Sequence, residues 1–287
     1  MKYFMDFEFL EGDIPVKIFG LNIPKWLIKP NNTIQPISIG LVSSDDREYY
    51  AISKDFNLKE AWNRLEMKYD DPLPPIKNRQ MGYSGYLAEE VIFRAIPKKV
   101  YWIRENVLKP IYTDLLIKDY SKKLFISEGT SEYRRLEEMF YDSKIYTFTL
   151  NNFKRLLFKY GKSNKQIADE IKLFTTQYSE NKNEIWDKPT FYGYYSAYDH
   201  IALCWLFGKM IDLPKGFPMY TIDLKQMLDE IVENYSDHFS NGNESFETKL
   251  IWIKNKDNYP KQTNEHNALA DAKWNKKLYE FLKDVAQ

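Results

Sequence analysis

The first ten residues, MKYFMDFEFL, restrict the fold of this chain more than any other stretch. Tyr3, Phe4, Met5, Phe7, Phe9 and Leu10 form an apolar run with the length and composition of a buried strand. Side chains alternate across a strand, so Asp6 and Glu8 share one face. Neighbouring carboxylates repel, and a carboxylate in a buried position is costly unless a cation faces it. An exposed strand face, pairing with Lys or Arg, or a bound metal would each relieve that cost. These residues alone leave all three open.

The order of the later elements sets the fold class. Gly12 to Asn32 is rich in turn residues and prolines, and then comes PISIGLVSSDDREYYAIS. Ile37, Ile39 and Leu41 alternate, Ser44-Asp45-Asp46 turns, and Tyr49 to Ile52 returns, which predicts a three-stranded antiparallel meander. Residues from about 59 to 160 read as mostly helical, with a proline-rich break at DPLPP. Ser163 and Gln166 form a capping box ahead of Ile167, Ile171 and Phe174 at helical spacing. KPTFYGYYS reads as a second aromatic strand, SAYDHIALCWLFGKM as a helix capped by Ser196, PMYTI as a short strand and DLKQMLDEIVENY as a helix. Ser236 to Glu265 reads as a polar loop apart from the apolar LIWI, and NALADAKWNKKLYEFLKDVA as a final helix. Three strands followed by strand–helix alternation predict an α/β sheet with mixed strand directions.

Composition narrows the function classes. With 44% hydrophobic and 16% aromatic residues the chain can fill a core and is not of the disordered class. A lone cysteine, Cys204, excludes an internal disulfide framework and a cysteine zinc cluster. Asp6 and Glu8 interrupt any signal-peptide core, and no run approaches the ~18 apolar residues of a membrane span. The expectation is a reducing, cytoplasmic location with no membrane partner. Net charge is zero overall, yet residues 94–165 carry 16 Lys+Arg against 8 Asp+Glu, together with 13 aromatics. Basic residues interleaved with rings suit a single-stranded nucleic acid, charges meeting phosphates and rings meeting bases. A solvated, lysine-rich helical face is the competing reading.

Two further acids stand at telling places. Asp199 lies in YYSAYDHIAL, one turn into a helix that leaves a strand. Asp271 lies in EHNALADA, five residues after His266. If Asn267 caps the final helix, His266 sits just outside it, where its ring can reach the site that Asp271 faces. Taken singly, Ser196-x-x-Asp199 could be a cap, and Asp271 could simply complement a helix dipole.

Taken together, in order and on these elements, Asp6-Phe-Glu8, Tyr198-Asp199 and His266-x₄-Asp271 resemble the signature of the DEDDh 3′→5′ exonucleases of the ribonuclease H-like fold. The stretches MKYFMDFEFLEG, ISIGLVSSDDREYYAIS, WIRENVL, FYGYYSAYDHIALCWLFGKM, PMYTIDLKQ and HNALADA are similar to the bacterial exoribonucleases of the polyadenylate-specific 3′-exoribonuclease AS type. That family is shorter. The resemblance therefore implies one ribonuclease H-like domain over 1–287, with a mixed sheet flanked by helices and mostly helical insertions near 59–100 and 113–160. The family usually has a small residue between its first two acids; here it is Phe7.

The resemblance also implies a chemistry, which the donor set suits: carboxylate oxygens favour two Mg²⁺ or Mn²⁺ ions over Zn²⁺. In the family, the positions of Asp6, Glu8 and Asp271 hold one ion, Asp6 bridges to a second, and the position of Asp199 acts through metal-bound water. His266 would be the general base, mobile on its polar loop until substrate binds. Phe7 would contact the terminal nucleotide through its backbone. Phe9, Leu10 and Tyr198 would stack on or wedge the last bases, or else pack in the core. The implied partner is single-stranded nucleic acid, RNA before DNA. A DNA-directed exonuclease of the same fold and an inactive nucleic-acid-binding module are the rivals. The oligomeric state, a homodimer included, is left open.

Overall fold

The computed structural model describes residues 1–14, 17–18, 21–22, 27, 31–69, 97–142, 147–176, 188–234 and 245–285. Strand β1 (Lys2–Ile14) is followed by β2 (Asn31–Ser43) and β3 (Glu48–Ile52). Helix α1 (Leu58–Asn63) leads to an antiparallel pair, β4 (Glu66–Tyr69) with β5 (Pro97–Val100). A π-turn at Arg104–Leu108 opens into α2 (Lys109–Lys123), followed by α3 (Ser131–Asp142), α4 (Leu150–Tyr160) and α5 (Asn164–Thr175). Then come β6 (Thr190–Gly193), α6 (Ala197–Phe207), β7 (Ile222–Asp223), α7 (Leu224–Asn234), α8 (Phe246–Lys254) and α9 (Ala268–Val285).

The main sheet has the order β3-β2-β1-β6-β7. The β3/β2 and β2/β1 pairs are antiparallel, while β1/β6 and β6/β7 are parallel. This is the mixed sheet with flanking helices of the ribonuclease H-like fold. The alternation along β1 assigns its two faces. Tyr3, Met5 and Phe7 pack with Ile167, Ile171, Ala202 and Leu206 of α5 and α6. On the other face, Phe4 joins Leu224, Leu228, Trp274 and Leu278 of α7 and α9. Farther along that same face, Leu10 joins Val107, Leu108, Ile111 and Tyr112 at the start of the helical segment. Asp6 and Glu8 thus fall between two apolar clusters on one face.

Local signals explain most element boundaries. The Ser163–Gln166 capping box is reciprocal, as expected. Asn267 Oδ1 accepts the Ala270 N–H at 3.1 Å, so Asn267 caps α9 as its sequence position predicts. At α6, Ser196 occupies the cap position without a side-chain cap bond. Asp223 instead fixes the turn that leads into the helix, accepting the Tyr195 and Ser196 N–H groups at 3.2 and 3.0 Å.

Three expectations change. The strand predicted at PMYTI is only Ile222–Asp223. The LIWI stretch, set apart from the surrounding polar loop but given no element, lies in α8, where Ser245 Oγ accepts the Thr248 N–H as its cap; four apolar residues in a row do not distinguish a helix from a strand. In the stretch near 59–100 expected to be helical, the described residues form α1 and the β4/β5 pair, and residues 70–96 lie outside the described residues. Within 113–160 the described residues include most of α2 and all of α3 and α4. No helix among the described residues is long and apolar enough to cross a membrane.

Candidate active site

Strand β6 pairs with β1 only over Lys2–Phe4 and ends at Gly193, so the next stretch of β1 has a free edge. The N-terminus of α6 fills that edge. Asp199, buried in its first turn, accepts the Phe7 backbone N–H on Oδ1 at 2.8 Å. A side chain there satisfies a backbone donor that no strand reaches.

The N-terminus of α9 arrives at the same place. In the β1/β2 register Gly40 lies opposite Asp6. A Cβ at Gly40 would stand 2.1 Å from the Ala268 carbonyl oxygen and 2.5 Å from Leu269 Cα. Glycine is required here because the helix end rests on the strand backbone. Two residues farther along, the register slips between Glu8 and Phe9, leaving Ile37 unpartnered and placing Pro36 opposite Phe9. Such bulges sharpen twist and re-aim side chains, and here the bulge follows the second acid directly.

The result is a cleft of about 360 Å³ lined by Asp6, Glu8, Asp199, Asp271, His266 and Trp102, among others. Carboxylate oxygens of Asp6, Glu8 and Asp271 lie within 4.8 Å of one another. Asp271 is steadied by Gln262 Nε2, which donates to Oδ1 at 2.7 Å, and by the His266 backbone N–H, which donates to Oδ2 at 2.9 Å. His266 has a positive φ of 68°, and its Nδ1 stands 3.9 Å from Glu8 Oε1. The Trp102 ring meets the imidazole edge-on, centroids 4.7 Å apart. On α9, Asn275 donates to the Met5 carbonyl at 2.9 Å and ties the helix to β1 one residue before Asp6.

The electrostatics follow from this crowding. Burial, then the charges of Asp199, Glu8 and Asp271, push the Asp6 carboxyl well above its ordinary range. Burial, then Asp271 and Asp199, push Glu8 up to about 8. Burial raises Asp199 to about 7 against the hydrogen bond from Phe7, and burial raises Asp271 despite its bonds from Gln262 and His266. Buried like charges disfavour their ionised forms, and a multivalent cation reverses that balance. An all-oxygen donor set fits hard divalent ions such as Mg²⁺ or Mn²⁺.

The structure thus gathers all five acid/base residues singled out in the sequence. Among the substrate-contact candidates, Phe9 lines the cleft and meets the half-exposed Tyr198 in a T-shaped contact at 5.7 Å. Phe7 is a core side chain, and its N–H is already engaged by Asp199. Leu10 is a correction: it is fully buried under the helical segment, so its side chain offers no wedge to a base. Trp102, Gln262 and Asn275 are additions. Asn275 was legible, four residues after Asp271 and so on the same helix face; the contacts of Trp102 and Gln262 depend on tertiary packing. His200 points elsewhere, with Nδ1 3.0 Å from Thr221 Oγ1. His238 lies outside the described residues. In the basic 94–165 window, Lys123 and Lys159 pair with Asp119, Lys109 pairs with Glu105, and Lys122 lies over the Tyr160 ring. Arg134 and Arg135 are exposed on α3.

No protein-family model matches the chain. It is similar to two proteins described as 3′-5′ exoribonucleases, Rv2179c of Mycobacterium tuberculosis strain ATCC 25618 / H37Rv and MT2234.1 of strain CDC 1551 / Oshkosh. Each is 22% identical over 230 residues, covering 80% of this chain and 75% of the relative.

Proposed function

We propose that this protein is a divalent-metal-dependent 3′→5′ exoribonuclease of the DEDDh kind, similar in character to the polyadenylate-specific AS type. It releases nucleoside 5′-monophosphates from single-stranded RNA or 3′ overhangs, using one ribonuclease H-like domain with helical insertions. The observation that carries this reading is the convergence of Asp6, Glu8 and Asp271 oxygens within 4.8 Å, beside Asp199 and His266. Similarity to proteins described as exoribonucleases favours RNA over DNA.

Asp6, Glu8 and Asp271 would hold one divalent ion, Asp6 would also serve a second, and Asp199 would act through water. Bound there, the ions supply Lewis-acid stabilisation of the phosphoryl oxygens and of the leaving oxygen. His266 accepts a proton from the attacking water on its imidazole. The water oxygen bonds to phosphorus, the bond to the 3′-oxygen breaks, and that oxygen takes up a proton to leave a new 3′-hydroxyl. Phe9 and Tyr198 present rings at the mouth of the cleft on which the terminal bases stack.

The test is degradation of 5′-labelled RNA and DNA strands with Mg²⁺ or Mn²⁺, with and without EDTA. The expected result is a ladder of shortened RNA with metal and none with EDTA, with turnover falling to background in Asp6→Asn while RNA binding persists. Full activity in EDTA, or wild-type turnover by Asp6→Asn, overturns the reading.

A further inference from the structure

The loop that carries His266 is held from two sides. Toward α9, the Asn267 side chain caps the helix: its Oδ1 accepts the Ala270 N–H at 3.1 Å. Its other end, Nδ2, points across to α2 and donates to Asp114 Oδ2 at 3.3 Å. The second Asp114 oxygen accepts the hydroxyl of Tyr141 on α3. One carboxylate therefore ties α2 and α3 to the residue next to His266. Asp114 lies on no element of the main sheet and is not among the residues lining the cleft.

We infer that Asp114 is a positioning residue for His266, acting through the Asn267 side chain. The inference rests on the proposed role of His266 as base. A helix cap needs only the Asn267 oxygen, and Asp serves as well as Asn at such positions. The amide nitrogen is surplus to the cap, and it is the group that Asp114 engages. His266 adopts a left-handed backbone conformation, which non-glycine residues hold only where their surroundings enforce it. The Asp271 carboxylate fixes its N–H, and Asp114 fixes the next residue in the chain. Thus the helical segment, which supplies none of the acids, sets where the imidazole sits.

The donor pattern provides a clean test. Asn267→Asp keeps the cap, removes the donor, and sets a second carboxylate against Asp114. Adding Asp114→Asn restores a donor–acceptor pair with the direction reversed, while the new charge at position 267 remains. Two readouts are needed. The first is kcat and KM on single-stranded RNA. The second is the imidazole ¹⁵N resonances of His266 in the metal-free protein, which do not depend on turnover. The expected result for Asn267→Asp is a fall in kcat on the order of 10²-fold, the scale set by ~1 Å of misplacement, with KM little changed and the His266 resonances shifted or broadened. The double substitution should return both readouts to near wild type. Wild-type kcat and resonances in Asn267→Asp, or failure of the double substitution to restore them, overturns the inference. If the wild-type protein degrades no RNA, the proposed function fails instead, and the resonances alone decide whether Asp114 positions the ring.

Discussion

Asp119 on α2 and the acids of the cleft are both sequestered carboxylates, and they are stabilised in opposite ways. Asp119 is 1% exposed, and its oxygens lie 2.6 Å from Lys123 Nζ and 2.6 Å from Lys159 Nζ. The Tyr160 hydroxyl donates to it at 2.7 Å. Burial alone would raise its pKa, but these donors hold it well below the usual carboxylate range. Asp6, Glu8, Asp199 and Asp271 have no Lys or Arg partner among the described residues, and all four are pushed up. A sequestered acid with its cation built into the chain is complete as folded. Four acids without such a partner among the described residues retain a mutual repulsion that protonation or a bound cation relieves, and proteins keep such destabilised clusters where function requires them.

The largest effect expected within this contrast is on turnover. His266→Ala should lower kcat by about 10²–10⁴-fold with folding and metal affinity kept, because a general base contributes on that scale. His200→Ala, whose ring faces Thr221, should leave turnover unchanged. Steady-state kinetics across pH check this, and the reverse pattern would mean that the last motif is misassigned.

A smaller effect, opposite in sign at the two places, is expected in thermal stability. Asp119→Asn removes an ionised acceptor from two ammonium groups and a hydroxyl and should destabilise by about 1–2 kcal/mol, discounted because both lysines are half-exposed. That corresponds to a Tm loss of a few degrees. Asp6→Asn relieves repulsion from three neighbours and should raise the Tm of the metal-free protein. If both variants lose stability, the cleft acids are held by a cation within the chain and the contrast collapses.

The smallest effect sharpens the contrast through pH. Glu8 at about 8 and Asp199 at about 7 lie above their unfolded values, so between about pH 4 and 8 the native state binds more protons than the unfolded state. Their contribution is therefore fully present below about pH 4 and is lost as pH rises through 7 and 8. The Asp119 contribution has the other sign, present at neutral pH and lost on acidification. Melts of metal-free protein should show stability declining from pH 6 to pH 8, with Mg²⁺ raising Tm more at pH 8 than at pH 6. An equal Mg²⁺ gain at both values would mean that these acids do not hold the ion.

How much of the fold and site was legible in the sequence depended on the range of the forces involved. The shared face of Asp6 and Glu8 follows from strand alternation. The position of His266 follows from the Asn267 cap, and that of Asp199 from its place one turn into a helix. Each is a local rule. The same alternation places Leu10 on the face of the two acids, yet whether it meets solvent or core depends on α2, whose docking no local pattern announces. The contacts of Trp102 with His266 and of Gln262 with Asp271 likewise join separate elements. The α8 helix was hidden because its LIWI core reads equally as strand, although Ser245 three residues before Thr248 is a serviceable cap signal.

The seating of α9 on the bare backbone at Gly40 joins residues that leave the ribosome far apart in time. Asp271 emerges 265 positions after Asp6. At about 5–20 residues per second that interval is roughly 10–50 s. Throughout it the nascent chain holds Asp6 and Glu8 without their third carboxylate and without an imidazole beside them. The cluster of Asp6, Glu8 and Asp271 beside His266 therefore cannot form until α9 has been made and has docked on Gly40.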